Sequence, residues 1–184
     1  MPKIIDHEAH RDMLAAACFR LFAECGYAAT SMRQIARALE VSTGTLYHYF
    51  PDKSSILAHM FEAVVREDVS RFDQLVMPDA TLEMRVTVTL SYVRARKDHL
   101  RDVLRLALEV HRHEPSGESH AQVRRAMFRY RTALGAALGL EDGAVARAAF
   151  SLVVGELVHD LLDPGHLDED RQASALLGLC RAAR

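Results

Sequence analysis

The 184-residue sequence predicts an all-α fold of about nine helices, on three observations. Apolar side chains recur at i, i+3, i+4 and i+7 through most of the chain, the spacing of one helix face. The five prolines fall between such stretches, where a missing N–H does no harm. Few runs of β-branched residues alternate with polar ones, so little of the chain suits a strand. With 49% hydrophobic residues the chain can bury a sizeable core, as one globular unit or two closely packed ones.

Leu14, Cys18, Leu21, Phe22 and Cys25 make the first helical stripe, and Gly26 ends it. Cys18 and Cys25, seven apart on that face, read as small core residues. With Cys180 they are odd in number and form no CxxC, which argues against a disulfide framework or a zinc knuckle. The second helix starts at Ser31, whose hydroxyl can accept an orphan N–H while Gln34 returns a bond to the cap residue, a capping box. Met32, Ile35, Ala36 and Leu39 then form an apolar stripe that Glu40-Val41-Ser42 interrupts, a corner suited to a helix-turn-helix. Ser42 caps a third, short helix that turns Leu46 and Phe50 toward a core before Pro51 disfavours continuation. Residues 1–53 thus read as a three-helix head.

Residues 54–184 read as a helical body. Leu57, Met60, Phe61, Val64 and Phe72 continue one long helix from about Lys53 to Leu75, which Met77-Pro78-Asp79 breaks. Two helices follow over Leu82 to Arg96 and Leu100 to Val110, and His113-Glu114-Pro115-Ser116-Gly117 is the clearest loop. Three more run from about Ser119 to Leu138, ended by Gly139, from Ala144 to Leu162, ended by Pro164-Gly165, and from Glu169 to Arg181. Ala144, Ala146, Ala148, Ala149, Ser151 and Gly155 would let another helix approach the second of these closely. Ala173, Leu176, Leu177 and Cys180 recur at matching spacing on the last. Paired with symmetry mates, these two helices would make the four-helix interface of a homodimer; alternatively, both cover the body's own core.

The third helix carries the functional signal. It exposes Thr43, Gly44, Thr45, Tyr47, His48 and Tyr49 on about two turns, flanked by Arg33 and Lys53. These are hydrogen-bonding groups without an acid, and Gly44 removes a side chain that would hold the backbone off a partner. A second helix that turns its first residues to base edges while its flanks grip phosphate is how a helix-turn-helix reads the major groove of double-stranded DNA. Electrostatics alone do not suggest DNA: the formal net charge is −2, and the first 53 residues hold six basic and six acidic side chains. Any basic surface must come from placement on one face.

The string Cys25-Gly26-Tyr27, Thr30-Ser31, Ile35-Ala36, Val41-Ser42-x-Gly44-x-Leu46-Tyr47-x-Tyr49-Phe50, Lys53 and Leu57 resembles the TetR-type bacterial transcriptional repressors over roughly the first third of the chain. The resemblance implies a helix-turn-helix DNA-binding head, a ligand-binding helical body and dimerisation through the last two helices. It implies that Arg33 and Thr43 contact bases, that Thr45, Tyr47 and Tyr49 contact phosphate or base edges, and that Lys53 grips a phosphate. His48 falls where that family varies.

In the body, His111-x-His113-Glu114 invites a metal, but i and i+2 on a helix point about 200° apart and cannot share one unless the helix has ended. His99, His120, His159 and His166 add no ligand spacing, and no nucleophile with a base, or paired carboxylates, suggests an enzyme or a cofactor. Tyr92, Arg94, Arg96, Arg105 and Arg124 could bind an acidic group of a small-molecule effector if turned inward. Met60, Phe61, Met84, Met127, Phe128 and Phe150 could line an adaptable apolar cavity for it, or be plain core. The helix starting at Lys53 reads as the long element joining such a cavity to the head. Without a spanning segment or a signal-peptide core, a cytoplasmic protein is expected. The expected function is a ligand-responsive homodimeric repressor. The alternative is a helical protein-interaction or metal-binding module whose DNA-binding head no longer functions.

Overall fold

The computed structural model describes residues 7–163 and 169–182. Nine helices and no strand occur among the described residues: α1 (His7–Cys25), α2 (Met32–Ala38), α3 (Thr43–Tyr49), α4 (Lys53–Asp73), α5 (Leu82–Ala95), α6 (Lys97–His113), α7 (Glu118–Leu138), α8 (Gly143–Leu162) and α9 (Glu169–Ala182). The all-α expectation holds, and the loop at 114–117 lies where Pro115 and Gly117 place it. Pro164, Gly165 and His166 lie outside the described residues.

The chain folds as two compact units. The first comprises Met1–Glu67 and Val103–Ala126, the second Asp68–Asp102 and Met127–Arg184, so α4, α6 and α7 each contribute to both. In the first unit Leu14, Cys18, Phe22, Ile35, Leu46, Phe50, Ile56, Leu57 and Met60 are buried. Cys18 is fully enclosed, and burial pushes its thiol up to about 12, so it stays protonated and inert. Cys25, expected on the same face, is instead exposed, because it is the last residue of α1, where the chain turns away through Gly26 at φ +83°.

In the second unit α9 packs against both α5 and α8. Its core gathers Leu82, Val86, Leu90, Leu134, Leu138, Ala149, Val153, Leu176 and Cys180. Gly139 ends α7 at φ +67°, and Leu140 N–H reaches back to Gly135 O at 2.9 Å, closing the helix as its glycine predicts. The α5–α6 corner is sharper than the sequence suggests. Arg96 alone separates the helices, its N–H bonding Tyr92 O, and residues 97–99, left unassigned by periodicity, already belong to α6.

One buried charge organises this unit. Asp68, 2% exposed, accepts from Arg96 Nη2 at 2.7 Å and the Tyr130 hydroxyl at 2.6 Å, with His99 Nε2 at 2.9 Å. The Tyr92 hydroxyl donates to Asp68 O at 2.9 Å. Burial opposes ionisation of this carboxylate, but the bonds from His99, Tyr130 and Arg96 outweigh it and hold Asp68 below the usual carboxylate range. Arg101 similarly clasps Asp160 through both its carboxylate and its carbonyl oxygen.

Candidate nucleic-acid interface

The interface is built by two short helices that local chemistry starts and stops. Ser31 Oγ accepts from Gln34 N at 3.3 Å while Gln34 Oε1 accepts from Ser31 N at 2.8 Å, the full capping box. Ser42 Oγ accepts from Thr45 N at 2.9 Å and opens α3. The corner between them places Glu40 at φ 56°, a left-handed conformation that usually falls to glycine. Leu46 and Phe50, both 0% exposed, anchor α3 to the core, and seven residues would not hold as a helix without them.

With Leu46 turned inward, Arg33, Thr43, Gly44, Thr45, Tyr47 and His48 are all exposed, Tyr47 by 51%. Six of the eight candidate DNA contacts are therefore exposed, and α3 itself contains no acid. Thr45 Oγ1 lies 2.7 Å from Ser42 Oγ, so its hydroxyl is partly committed to the cap. Tyr49 is half-buried, its hydroxyl 3.3 Å from His7 Nδ1 on α1.

Lys53 is placed differently from the others. Its Nζ donates to Tyr27 O at 2.7 Å and Thr30 O at 2.9 Å, and lies 4.4 Å from the centre of the Tyr27 ring. The ammonium thus closes the α1–α2 turn from below. Burial lowers its pKa, partly opposed by the carboxylates of Glu114 and Glu109.

The same turn is gripped from α6 and α7, which nothing in the sequence suggests. Glu109 accepts from Tyr27 N at 3.0 Å and Ala28 N at 2.8 Å, one backbone amide to each carboxylate oxygen. A side chain at Gly26 would come within 3.2 Å of that carboxylate, so glycine serves both the left-handed backbone and the close approach. The Tyr27 hydroxyl lies 3.2 Å from Ser119 Oγ, which in turn lies 3.0 Å from Ser54 Oγ on α4. Burial raises the Tyr27 pKa, as does the nearby Glu114 carboxylate, against the bond to Ser119. Three helices, not α4 alone, therefore reach the head.

The candidate effector residues are scattered. Met60 and Phe61 are core of the first unit, to which Arg105 and Arg124 also belong, both exposed. In the second unit Met84 and Phe128 are exposed by 51% and 57%, Phe128 beneath Arg131 at 5.1 Å, while Tyr92 is bonded to Asp68 O. Arg94, Met127 and Phe150 are half-buried there. An open cleft of about 470 Å³ runs along α8 and includes Phe150 from this set, beside Val154, Gly155, Val158 and Leu162. α6 runs through His113, so His111 and His113 diverge, and His111 meets His120 of α7 instead, Nδ1 to Nδ1 at 3.4 Å. Among the described residues no group of three or more His, Cys, Asp or Glu could hold a metal ion, and no helix is long and apolar enough to cross a membrane.

Residues 14–60 match the family model described as bacterial regulatory proteins, tetR family. The chain is 28% identical over 180 residues to the HTH-type transcriptional regulator PksA of Bacillus subtilis (strain 168), covering 93% of this chain and 88% of that protein. Among solved structures it is similar to SCO7518 from Streptomyces coelicolor A3(2), at a TM-score of 0.77 and 22% identity, covering 92% of this chain and 97% of that one. It is also similar to FadR from Bacillus subtilis, solved in complex with stearoyl-CoA, at a TM-score of 0.64 and 20% identity, covering 93% and 97%. These two likenesses establish the fold, and the family match covers the capped helix pair, with its exposed, acid-free face, described above. Residues 14–60 thus carry a helix-turn-helix head similar to that of the tetR family of bacterial regulatory proteins, and along most of its length the chain is similar to an HTH-type transcriptional regulator.

Proposed function

We propose that this regulator is a ligand-responsive repressor that binds an inverted-repeat operator as a homodimer in the cytoplasm and is released by a small, largely apolar effector. Residues 1–53 serve as the DNA-binding domain and residues 54–184 as the effector-binding and dimerisation domain. The observation that carries the reading is the exposed face of α3, Thr43, Gly44, Thr45, Tyr47 and His48, free of acid and held by Leu46 and Phe50, with Arg33 exposed on α2. Arg33 and Thr43 read bases, while Thr45, Tyr47 and Tyr49 contact phosphate or base edges.

The outward face of α8 supports dimerisation. Leu152 and Leu162 are exposed by 45% and 77%, and among the described residues the apolar cleft along the helix is open. The small residues divide between two tasks. Ala146 and Ala149 are buried inside the second unit, whereas Ala144, Ala148, Ser151 and Gly155 are exposed and available to a partner. An apolar effector is supported by the fold shared with FadR, whose structure holds stearoyl-CoA. Coupling to the head runs through α4, and also through the Glu109 and Ser119 contacts of α6 and α7 to the α1–α2 turn.

Selection of duplexes from a random-sequence pool, followed by footprinting, should recover an inverted repeat protected on both sides of its dyad. If the full chain prefers no duplex over random DNA, the repressor reading fails. Thermal-shift screening of hydrophobic acids, acyl thioesters and aromatic drugs, then operator titration with each hit, tests the effector. A ligand that lowers operator affinity tenfold must itself bind the DNA complex about tenfold more weakly, ~1.4 kcal/mol of coupling. Hits that stabilise the protein but leave operator affinity unchanged would remove the coupling and spare the DNA binding.

A further inference from the structure

Three imidazoles surround one phenol at the edge of the recognition helix. His7 and His10, on the first turn of α1, and His48, on α3, close on Tyr49. The ring centre of Tyr49 lies 5.9 Å from that of His7, 5.2 Å from that of His10 and 5.2 Å from that of His48. His7 and His48 are exposed, their rings 6.0 Å apart, and His10 is half-buried. Tyr49 holds the group together through its hydroxyl, 3.3 Å from His7 Nδ1.

We propose that His7, His10 and His48 form a protonation-dependent phosphate site that seats a phosphodiester of the DNA backbone beside α3. The inference rests on the reading of α3 as the DNA-facing helix. It answers a deficit in the head, whose six basic side chains are matched by six acidic ones. Two of those cations are also engaged, Lys53 on backbone carbonyls and Arg11 over the Phe50 ring at 5.5 Å. A neutral imidazole offers one N–H donor and no charge. An imidazolium offers two donors and a positive charge, both suited to a phosphate oxygen. Apart from His48, α3 carries no titratable side chain but its two tyrosines, and no Asp, Glu, Lys or Arg. On α1 the neighbouring charges in sequence are Glu8, Arg11 and Asp12, of which Asp12 is bridged to Arg66 at 2.7 Å. On α4 the nearby His59 directs Nδ1 to Ser55 O at 2.9 Å. A metal is a poorer occupant, since no three ligating groups converge among the described residues.

Protonation gives an imidazole a second N–H donor and a charge, so binding through this patch is tested by comparing about pH 8 with about pH 6. Each further phosphate neutralised steepens the plot of log affinity against log salt by about 0.9. The full chain, titrated in EDTA with the duplex recovered by selection, should bind about tenfold more tightly at the lower pH, with a slope steeper by about 0.9. His7→Gln/His10→Gln/His48→Gln should abolish that difference while remaining folded by circular dichroism. His7→Gln/His10→Gln, which leaves α3 untouched, should remove at least half of it. His111→Gln/His120→Gln, on α6 and α7, should leave it intact. Binding that persists with the same slope at both pH values overturns this site and leaves the DNA-binding reading standing, as does a triple variant that keeps the pH effect. A pH effect that appears only when zinc is restored makes the occupant a metal and overturns it equally. Absence of binding at either pH overturns both readings.

Discussion

Replacing Lys53 by Met separates two roles that one lysine could play. The substitution keeps the length of the side chain and an apolar stem over the Tyr27 ring, and it deletes the ammonium. In the structure that ammonium donates to Tyr27 O at 2.7 Å and Thr30 O at 2.9 Å. Hydrogen bonds from a charged donor contribute about 1.5 to 3 kcal/mol each when buried. Lys53 is half-buried, so water can replace part of each bond, and the pair together contributes about 2 kcal/mol. For a chain of this size that lowers Tm by about 4 to 8 °C. A lysine seated on a phosphate predicts something else: an unchanged Tm and a salt slope shallower by about 0.9. The expected result is a lower Tm by calorimetry with an unchanged slope in operator titrations, because the turn and not the DNA holds the ammonium. An unchanged Tm with a slope reduced by about one would refute the argument and restore Lys53 to the phosphate contacts.

Arg33→Ala should cost about 1 to 3 kcal/mol of operator affinity and relax base preference, whereas Tyr47→Ala should weaken all duplexes evenly; competition titrations against mismatched operators distinguish them. If the protein dimerises through α8 as proposed, Gly155→Arg should give a folded monomer in sedimentation, since a Cβ there meets nothing within 4 Å among the described residues, while Ala149→Arg, at a fully buried site, should fail to fold. A dimeric Gly155 variant would place the interface elsewhere. Asp68→Asn, which takes the carboxylate from Arg96, should destabilise the protein by about 3 kcal/mol near pH 7 in urea titrations. Because the folded Asp68 titrates below its ordinary 3.8, its contribution is present above that value and is lost as pH falls through the lower folded value, so the deficit of the variant should shrink in acid; a constant deficit would show that ionisation contributes nothing. Glu40→Gly should raise stability by about 0.5 to 1 kcal/mol in thermal melts by relieving the left-handed backbone at φ 56°, and a lower Tm would contradict that account.

Contacts that close within a few residues are legible in the chain itself. Ser31 with Gln34 and Ser42 with Thr45 start their helices through bonds three positions long. Gly26 and Gly139 end theirs, and Leu46 and Phe50 leave a polar, acid-free face outward because the spacing of a helix requires it. These signals sit on one turn of chain, so periodicity and capping read them without the fold. Which distant groups meet depends instead on how the helices pack. Glu109 lies 82 residues from the Tyr27 amide it accepts, and no local pattern distinguishes it from any other carboxylate on a helix. The reach of Lys53 to the carbonyls of Thr30 and Tyr27, 23 and 26 residues earlier, is equally invisible locally, because backbone oxygens carry no sequence signature. Ala149 and Gly155 read alike as small residues, yet one is enclosed and the other faces out, since only the packing of α8 in its unit sets which side of the helix is core. His7 and His10 carry no local signal for the same reason: a histidine acquires its role from what the fold brings beside it, here His48 and Tyr49 some 40 residues on.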